Sequence, residues 1–160
     1  MRHVLSVIVE NKSGVLARVA GLFSRRGFNI DSLAVGATEK PEFSRITLVV
    51  TGEDLVIEQI TKQLYKLIDT YKVTDLTAAK HIEREMILVK VSINANNRSE
   101  VIEIVDIFRG KIIDVSDKNM TVEITGDYEK NEGFLSLLKK FGIIEIVRTG
   151  TVAIQRGTGN

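Results

Sequence analysis

The chain has no cysteine and no tryptophan, a single proline (Pro41) and two histidines in 160 residues. Without cysteine there is no disulfide framework and no thiolate metal site, which fits a reducing, cytoplasmic setting. Two histidines far apart in sequence, His3 and His81, fall short of the three or four ligands a metal site takes. They also leave no Ser/His/Asp arrangement to build. Charge of one sign is missing too: the net charge is +1, with 10 basic and 9 acidic residues up to Ala78 and 12 of each after it. Neither half carries the clustered Lys/Arg of a nucleic-acid binder. No apolar run approaches the roughly 20 residues that span a bilayer. Met1-Arg2-His3-Val4 opens a strand and not a signal segment, because Glu10 and Asn11 end the apolar run early. Glycines are spaced across a helix (Gly14, Gly21, Gly27) and do not cluster into a phosphate loop.

What is present is enough apolar residue, 44%, for a packed core, arranged in two copies of one plan. Val4–Glu10 is a short apolar strand. Val15, Leu16, Val19, Leu22 and Phe23 recur at helical spacing. Asn11 or Ser13 is expected to cap that helix, and Gly27 to end it in a left-handed turn. Residues 29–38 and 44–51 are strands around the loop Glu39-Lys40-Pro41-Glu42, which leads a second helix (Ile57, Ile60, Leu64, Leu67) and a strand at 73–77. The second half repeats the order. A strand at 86–93 leads to a helix opened by Asn97 or Ser99 and closed by Gly110. Strands at 111–115 and 120–125, a helix marked by Phe134, Leu135, Leu138 and Phe141, and a last strand at 143–154 follow. Twice βαββαβ gives an α+β chain of two ferredoxin-like domains, 1–78 and 79–160, with 156–160 as a loose tail. No aromatic residue lies within 4–10 or 44–51, where an RNA-binding domain of this plan would carry its stacking residues. Asp114, Asp117 and Asp127 read as solvated turn carboxylates in preference to a cation site.

One stretch carries chemistry. Asn11-Lys12-Ser13-Gly14-Val15-Leu16 opens the first helix, where free N–H groups and the positive dipole end suit a carboxylate. Gly14 admits close approach to the backbone. Asn11 has both a donor and an acceptor. Asn29 is a second polar candidate, from the same or a neighbouring chain.

Residues 5–19, LSVIVENKSGVLARV, followed by GLFSRRGFNIDSL at 21–33, resemble an ACT domain. The stretches EQITKQLYKL (58–67), EREMILVKV (83–91) and IFRGKIIDV (107–115) narrow the resemblance to the small regulatory subunits of acetohydroxyacid synthase, also called acetolactate synthase. It runs from Met1 nearly to Arg156. The resemblance implies a chain with no catalytic residues, an ACT domain at 1–78 and a second ferredoxin-like domain at 79–160. It also implies a homodimer that joins a separate catalytic subunit, raises its activity and confers feedback inhibition by valine. Thiamine diphosphate, Mg²⁺ and FAD would belong to that catalytic subunit. Valine would lie between paired ACT domains, with Asn11, Gly14, Val15 and Leu16 on one side and Asn29 and Ile30 from the other copy. The loop 39–43 is a candidate contact with the catalytic subunit. The alternative is a stand-alone ACT sensor of another amino acid, acting on a different enzyme or on transcription.

Overall fold

A computed structural model describes residues 1–157, and the expectation of a loose tail lies, for 158–160, outside the described residues. The chain divides into two compact units, 1–82 together with the described part of 151–160, and 83–150.

In the first unit β1 (Arg2–Glu10), α1 (Val15–Arg25), β2 (Ile30–Ala37), β3 (Phe43–Thr51), α2 (Asp54–Tyr65) and β4 (Thr70–Asp75) follow the expected order. They build an antiparallel sheet in the order β2-β3-β1-β4. Alternation decides the faces. Leu5, Val7 and Val9 of β1 and Ile46, Leu48 and Val50 of β3 are buried with Val15, Val19, Leu22 and Phe23 of α1 and Ile57, Ile60 and Leu64 of α2. On the opposite face Val4 and Val49 pack with Leu76 and with Ala153.

The second unit holds β5 (His81–Ser92, which begins in the first unit), α3 (Arg98–Ile107), β6 (Lys111–Val115), β7 (Asn119–Gly126), α4 (Tyr128–Leu138) and β8 (Ile143–Arg148), in the sheet order β6-β7-β5-β8. Ile87, Val89, Val91, Met120, Val122 and Ile124 are buried under Val101, Val105, Phe134, Leu135 and Leu138. Asp127 caps α4 by accepting from the Lys130 N–H at 2.9 Å.

Two expectations differ from what the structure shows. The last strand is not continuous: Gly150, at φ 90°, breaks it into β8 and β9 (Val152–Gln155). Past that break β9 pairs with β5, and the chain from Thr151 onward groups with the first unit. There the Thr151 N–H donates to the Ser32 hydroxyl at 2.8 Å and the Arg156 N–H to the Lys80 carbonyl at 2.8 Å. Neither Asn11 nor Ser13 caps α1 through its side chain. Gly110 does close the turn after α3, its N–H donating to the Val105 carbonyl at 2.8 Å, with Arg109 before it in the left-handed region (φ 58°). It meets a packing need as well, because a Cβ there would stand 3.3 Å from the Glu123 carbonyl of the neighbouring strand.

Candidate functional site

The β1–α1 turn is built around Gly14, which is the residue before α1 and sits in the left-handed region (φ 83°, ψ −11°). This is why glycine is needed here. The Gly14 carbonyl accepts from the Arg18 N–H at 3.1 Å and so starts the helical ladder. The N–H groups of Val15, Leu16 and Ala17 precede that bond, so the ladder gives them no acceptor. They form the positive end of α1. Leu16 stands 41% exposed beside them, whereas the Val15 side chain is buried in the first core. Val15 therefore offers a ligand its N–H and not its isopropyl group.

Asn11 is exposed and tied to the β2–β3 loop. Its N–H donates to the Glu42 carbonyl (2.8 Å) and its Nδ2 to the Pro41 carbonyl (3.1 Å). Those bonds join the turn to the loop at 39–43, and the position before α1 falls to Gly14, which has no side chain to cap with. Lys12 pairs with Glu10 at 2.6 Å. The hydrogen bond and charge of that carboxylate hold the Lys12 ammonium above its ordinary value. Arg18, one turn into α1, donates from Nε (2.8 Å) and Nη2 (2.6 Å) to the buried carboxylate of Asp69. Asp69 in turn accepts the Glu10 N–H on its backbone carbonyl (2.9 Å). Sequence reasoning missed Arg18 and Asp69. The i+4 spacing from Gly14 to Arg18 was the available signal; nothing local points to Asp69, which lies 51 positions on.

Asn29 and Ile30 lie elsewhere. Asn29 is exposed and Ile30 half-buried, just beyond the opposite end of α1. Eleven helical residues separate them from Gly14 by about 16 Å. The sheet agrees: Glu10 pairs with Phe43 at one end of β3, Ile30 with Val50 at the other. One chain thus brings Asn11, Gly14, Val15 and Leu16 together and leaves Asn29 and Ile30 apart. Cavities of about 380 Å³ along β2 and about 540 Å³ beside His3 contain none of the six. They do not bear on this site.

The edges of the first sheet differ. On β4 the Tyr65 hydroxyl accepts from the Val73 N–H and donates to the Val73 carbonyl, both at 3.0 Å. These bonds occupy the middle of that edge. β2, the other edge, pairs only with β3 on the sheet path, and Val35 on it is 48% exposed. Bare edge backbone is a template for a further strand. Tyr65→Phe is expected to lower stability by about 1–2 kcal/mol, since it strips the partner from two backbone groups. It should also bring concentration-dependent association. Denaturant titration with light scattering at two concentrations checks both; unchanged behaviour would remove Tyr65 as the guard of that edge.

Neither histidine belongs to a metal cluster. His3 is buried, with Nδ1 3.2 Å from Asp75 and Nε2 3.2 Å from Asp54. The second contact is at ion-pair distance without hydrogen-bond alignment. His81 Nδ1 lies 3.0 Å from the Ala79 carbonyl. Among the described residues no group of three or more His, Cys, Asp or Glu is placed to hold a metal, Asp114, Asp117 and Asp127 included. No helix among them is long and apolar enough to cross a membrane.

The βαββαβ sheet of the first unit, with a glycine turn heading its first helix, defines an ACT-type regulatory domain, and residues 5–72 match the family model described as the AHAS small subunit-like ACT domain. Residues 84–157 match the model for the small subunit of acetolactate synthase. A chain of Archaeoglobus fulgidus named "Probable acetolactate synthase small subunit" is 52% identical over 157 residues, covering 98% of each chain. The acetolactate synthase small subunit of Mycobacterium leprae is 55% identical over 155 residues, 97% of this chain and 92% of that one. The crystal structure of the acetolactate synthase small subunit from Thermotoga maritima superposes with a TM-score of 0.87 at 46% identity, covering 99% of both. The chain belongs to the acetolactate synthase small subunit family, and its role is that of a regulatory subunit.

Proposed function

We propose that this chain is the non-catalytic subunit that raises the activity of an acetolactate-forming catalytic subunit and makes it subject to feedback inhibition by valine. The observation that carries the reading is the left-handed Gly14 turn, which opens the N–H end of α1 to a carboxylate. The ligand's ammonium meets the Oδ1 of Asn11, whose Nδ2 is engaged on Pro41, and its isopropyl group meets the exposed face of Leu16. Asn29 and Ile30 complete the pocket from a second copy of the chain.

The unguarded β2 edge supports that pairing. If two β2 strands meet antiparallel across a two-fold axis, the start of one lies beside the end of the other. Ala37 ends β2 at the same end of the sheet as Glu10, through Ser44 and Phe43 of β3. Ile30 and Asn29 of one copy then approach Asn11 and Gly14 of the other. The separation of about 16 Å within one chain becomes proximity between two. Valine held this way biases how the first units pair, and the catalytic subunit reads that bias through a surface that includes the loop 39–43, tied to Asn11. Thiamine diphosphate, Mg²⁺ and FAD are assigned to the catalytic subunit.

Coupling must be reciprocal: valine changes affinity for the catalytic subunit by the factor by which that subunit changes affinity for valine. A pocket of this size separates ligands differing by a methylene by about 1–3 kcal/mol, so leucine and isoleucine should trail valine only modestly. Isothermal titration with valine, leucine, isoleucine and glycine, alone and with the catalytic subunit, tests the reading. Saturable valine binding together with valine-sensitive acetolactate formation is the expected result. Binding of an unrelated amino acid in place of valine would favour a sensor acting elsewhere.

A further inference from the structure

We propose that Arg18 reads the carboxylate of the amino-acid ligand and that Asp69 holds its guanidinium in position, an inference that rests on the Gly14 turn being that ligand's site. Arg18 approaches the turn along α1, one turn on. Nε and Nη2 are both engaged on Oδ2 of Asp69, at 2.8 and 2.6 Å. The Asp69 side chain is 8% exposed and that of Arg18 49%, so the carboxylate is the fixed partner and the guanidinium its half-open extension. Asp69 is anchored in turn, through the Glu10 N–H on its carbonyl and the packing of the α2–β4 connection.

With two nitrogens of the planar fork fixed, the third has little freedom. Nη1 lies 3.1 Å from the position that a Cβ on residue 14 would take. Nη1 can come this close because residue 14 is glycine, and it therefore stands beside the turn that opens α1. A ligand carboxylate drawn to the backbone N–H groups of that turn comes within reach of the two N–H donors of Nη1. The backbone donors are neutral and select for any small acceptor. A guanidinium adds a charge-assisted bond roughly twice as strong as a neutral one. It also gives the site its demand for a full negative charge. Lysine could not replace it, because a point charge on a flexible stem cannot engage Asp69 through two nitrogens and still present a third.

The test is a comparison of ligands as well as of variants. Valine and valinamide share the ammonium and isopropyl groups and differ in the carboxylate. Each is titrated into wild type, Arg18→Gln, Arg18→Lys and Asp69→Asn, alone and with the catalytic subunit present, with thermal melts to confirm folding. Wild type should prefer valine by about 100-fold, as a site built for a charged group rejects the analogue lacking it. Arg18→Gln should cut that preference to about tenfold or less, by weakening valine and leaving valinamide nearly unchanged. Arg18→Lys and Asp69→Asn should fall between. If Arg18 only braces the turn, both ligands weaken in parallel and the ratio stays put, which overturns the proposal while leaving the site. Wild type that binds neither ligand, with or without the catalytic subunit, overturns the amino-acid site and the role of Arg18 with it. Should Arg18→Gln fail to fold, the ratio in Asp69→Asn and Arg18→Lys decides in the same way.

Discussion

Gly14→Asp is expected to abolish the response to valine while leaving a folded chain. Two costs must be separated. The first is conformational: residue 14 has φ 83°, and a side chain in the left-handed region costs about 1–2 kcal/mol, at the low end for aspartate, which visits that region more readily than most. Against a domain stability of roughly 5–15 kcal/mol this does not unfold the protein. The second falls on the ligand. The new Cβ would press on the Arg18 guanidinium, 3.1 Å away, and the new carboxylate would lie where the ligand's carboxylate is expected, satisfying the same donors. Valine would then have to displace a tethered anion of its own charge. The expected weakening is at least about 100-fold, or about 2.7 kcal/mol. Titration of the variant with valine, and valine inhibition of the reconstituted complex, give the answer. Inhibition at the wild-type concentration would remove Gly14 from the site.

The parts of this site that sequence shows are those whose cause is local. Gly14 heads an amphipathic stripe, Val15, Val19, Leu22 and Phe23, and all four are buried. Gly27 takes up the left-handed turn expected of it (φ 73°). Both follow from the 3.6-residue period and the conformational freedom of glycine. The capping expected of Asn11 or Ser13 is absent because the position before α1 falls to Gly14, which has no side chain, while the Asn11 amide turns to the loop at Pro41. Gly110, which reads as a helix stop, does close the turn after α3, but its approach to Glu123 on another strand is tertiary and does not show in the sequence.

What stayed hidden is tertiary. Asp69 faces Arg18, and the Tyr65 hydroxyl closes on Val73, only because β4 returns beside β1. Nothing in the composition of either segment announces it. The C-terminal strand departs from its sequence pattern for another reason. Ile143 to Ile154 reads as one apolar run, and Thr149-Gly150-Thr151 inside it is a turn signal that the surrounding valines and isoleucines outweigh. The positive φ at Gly150 lets the chain leave the second unit there and place Ala153 against Val4, Val49 and Leu76. The opposite placement of Gly14 and Asn29, by contrast, could be read from order alone: residues flanking one helix of eleven residues are never neighbours within a chain. A site containing both therefore already calls for two chains.

That requirement makes Val35→Pro the second large effect, expected to separate the dimer and to take valine binding with it. The Thr38 N–H donates to the Phe43 carbonyl at 3.1 Å. Alternation along an antiparallel ladder then turns Gly36 and Ala34 toward β3 and leaves the N–H of Val35 pointing off the free edge. Proline at that position removes no bond within the chain and is tolerated on an edge strand whose N–H faces outward. It asks Ala34 only to stay extended, as it already is. Across a two-fold axis the loss occurs twice. At about 1.4 kcal/mol for each hydrogen bond, the dimer weakens by about 100-fold, before the bulk of two proline rings at the strand contact is counted. Sedimentation should show monomer at concentrations where wild type is dimeric, with an unchanged circular dichroism spectrum. Valine titration should show no saturable binding, because Asn29 and Ile30 no longer reach the Gly14 turn of a second chain. A monomeric variant that still binds valine would place the whole site in one chain and remove Asn29 and Ile30 from it. A variant that remains dimeric would move the pairing surface away from β2, and with it the reason those two residues were joined to Asn11.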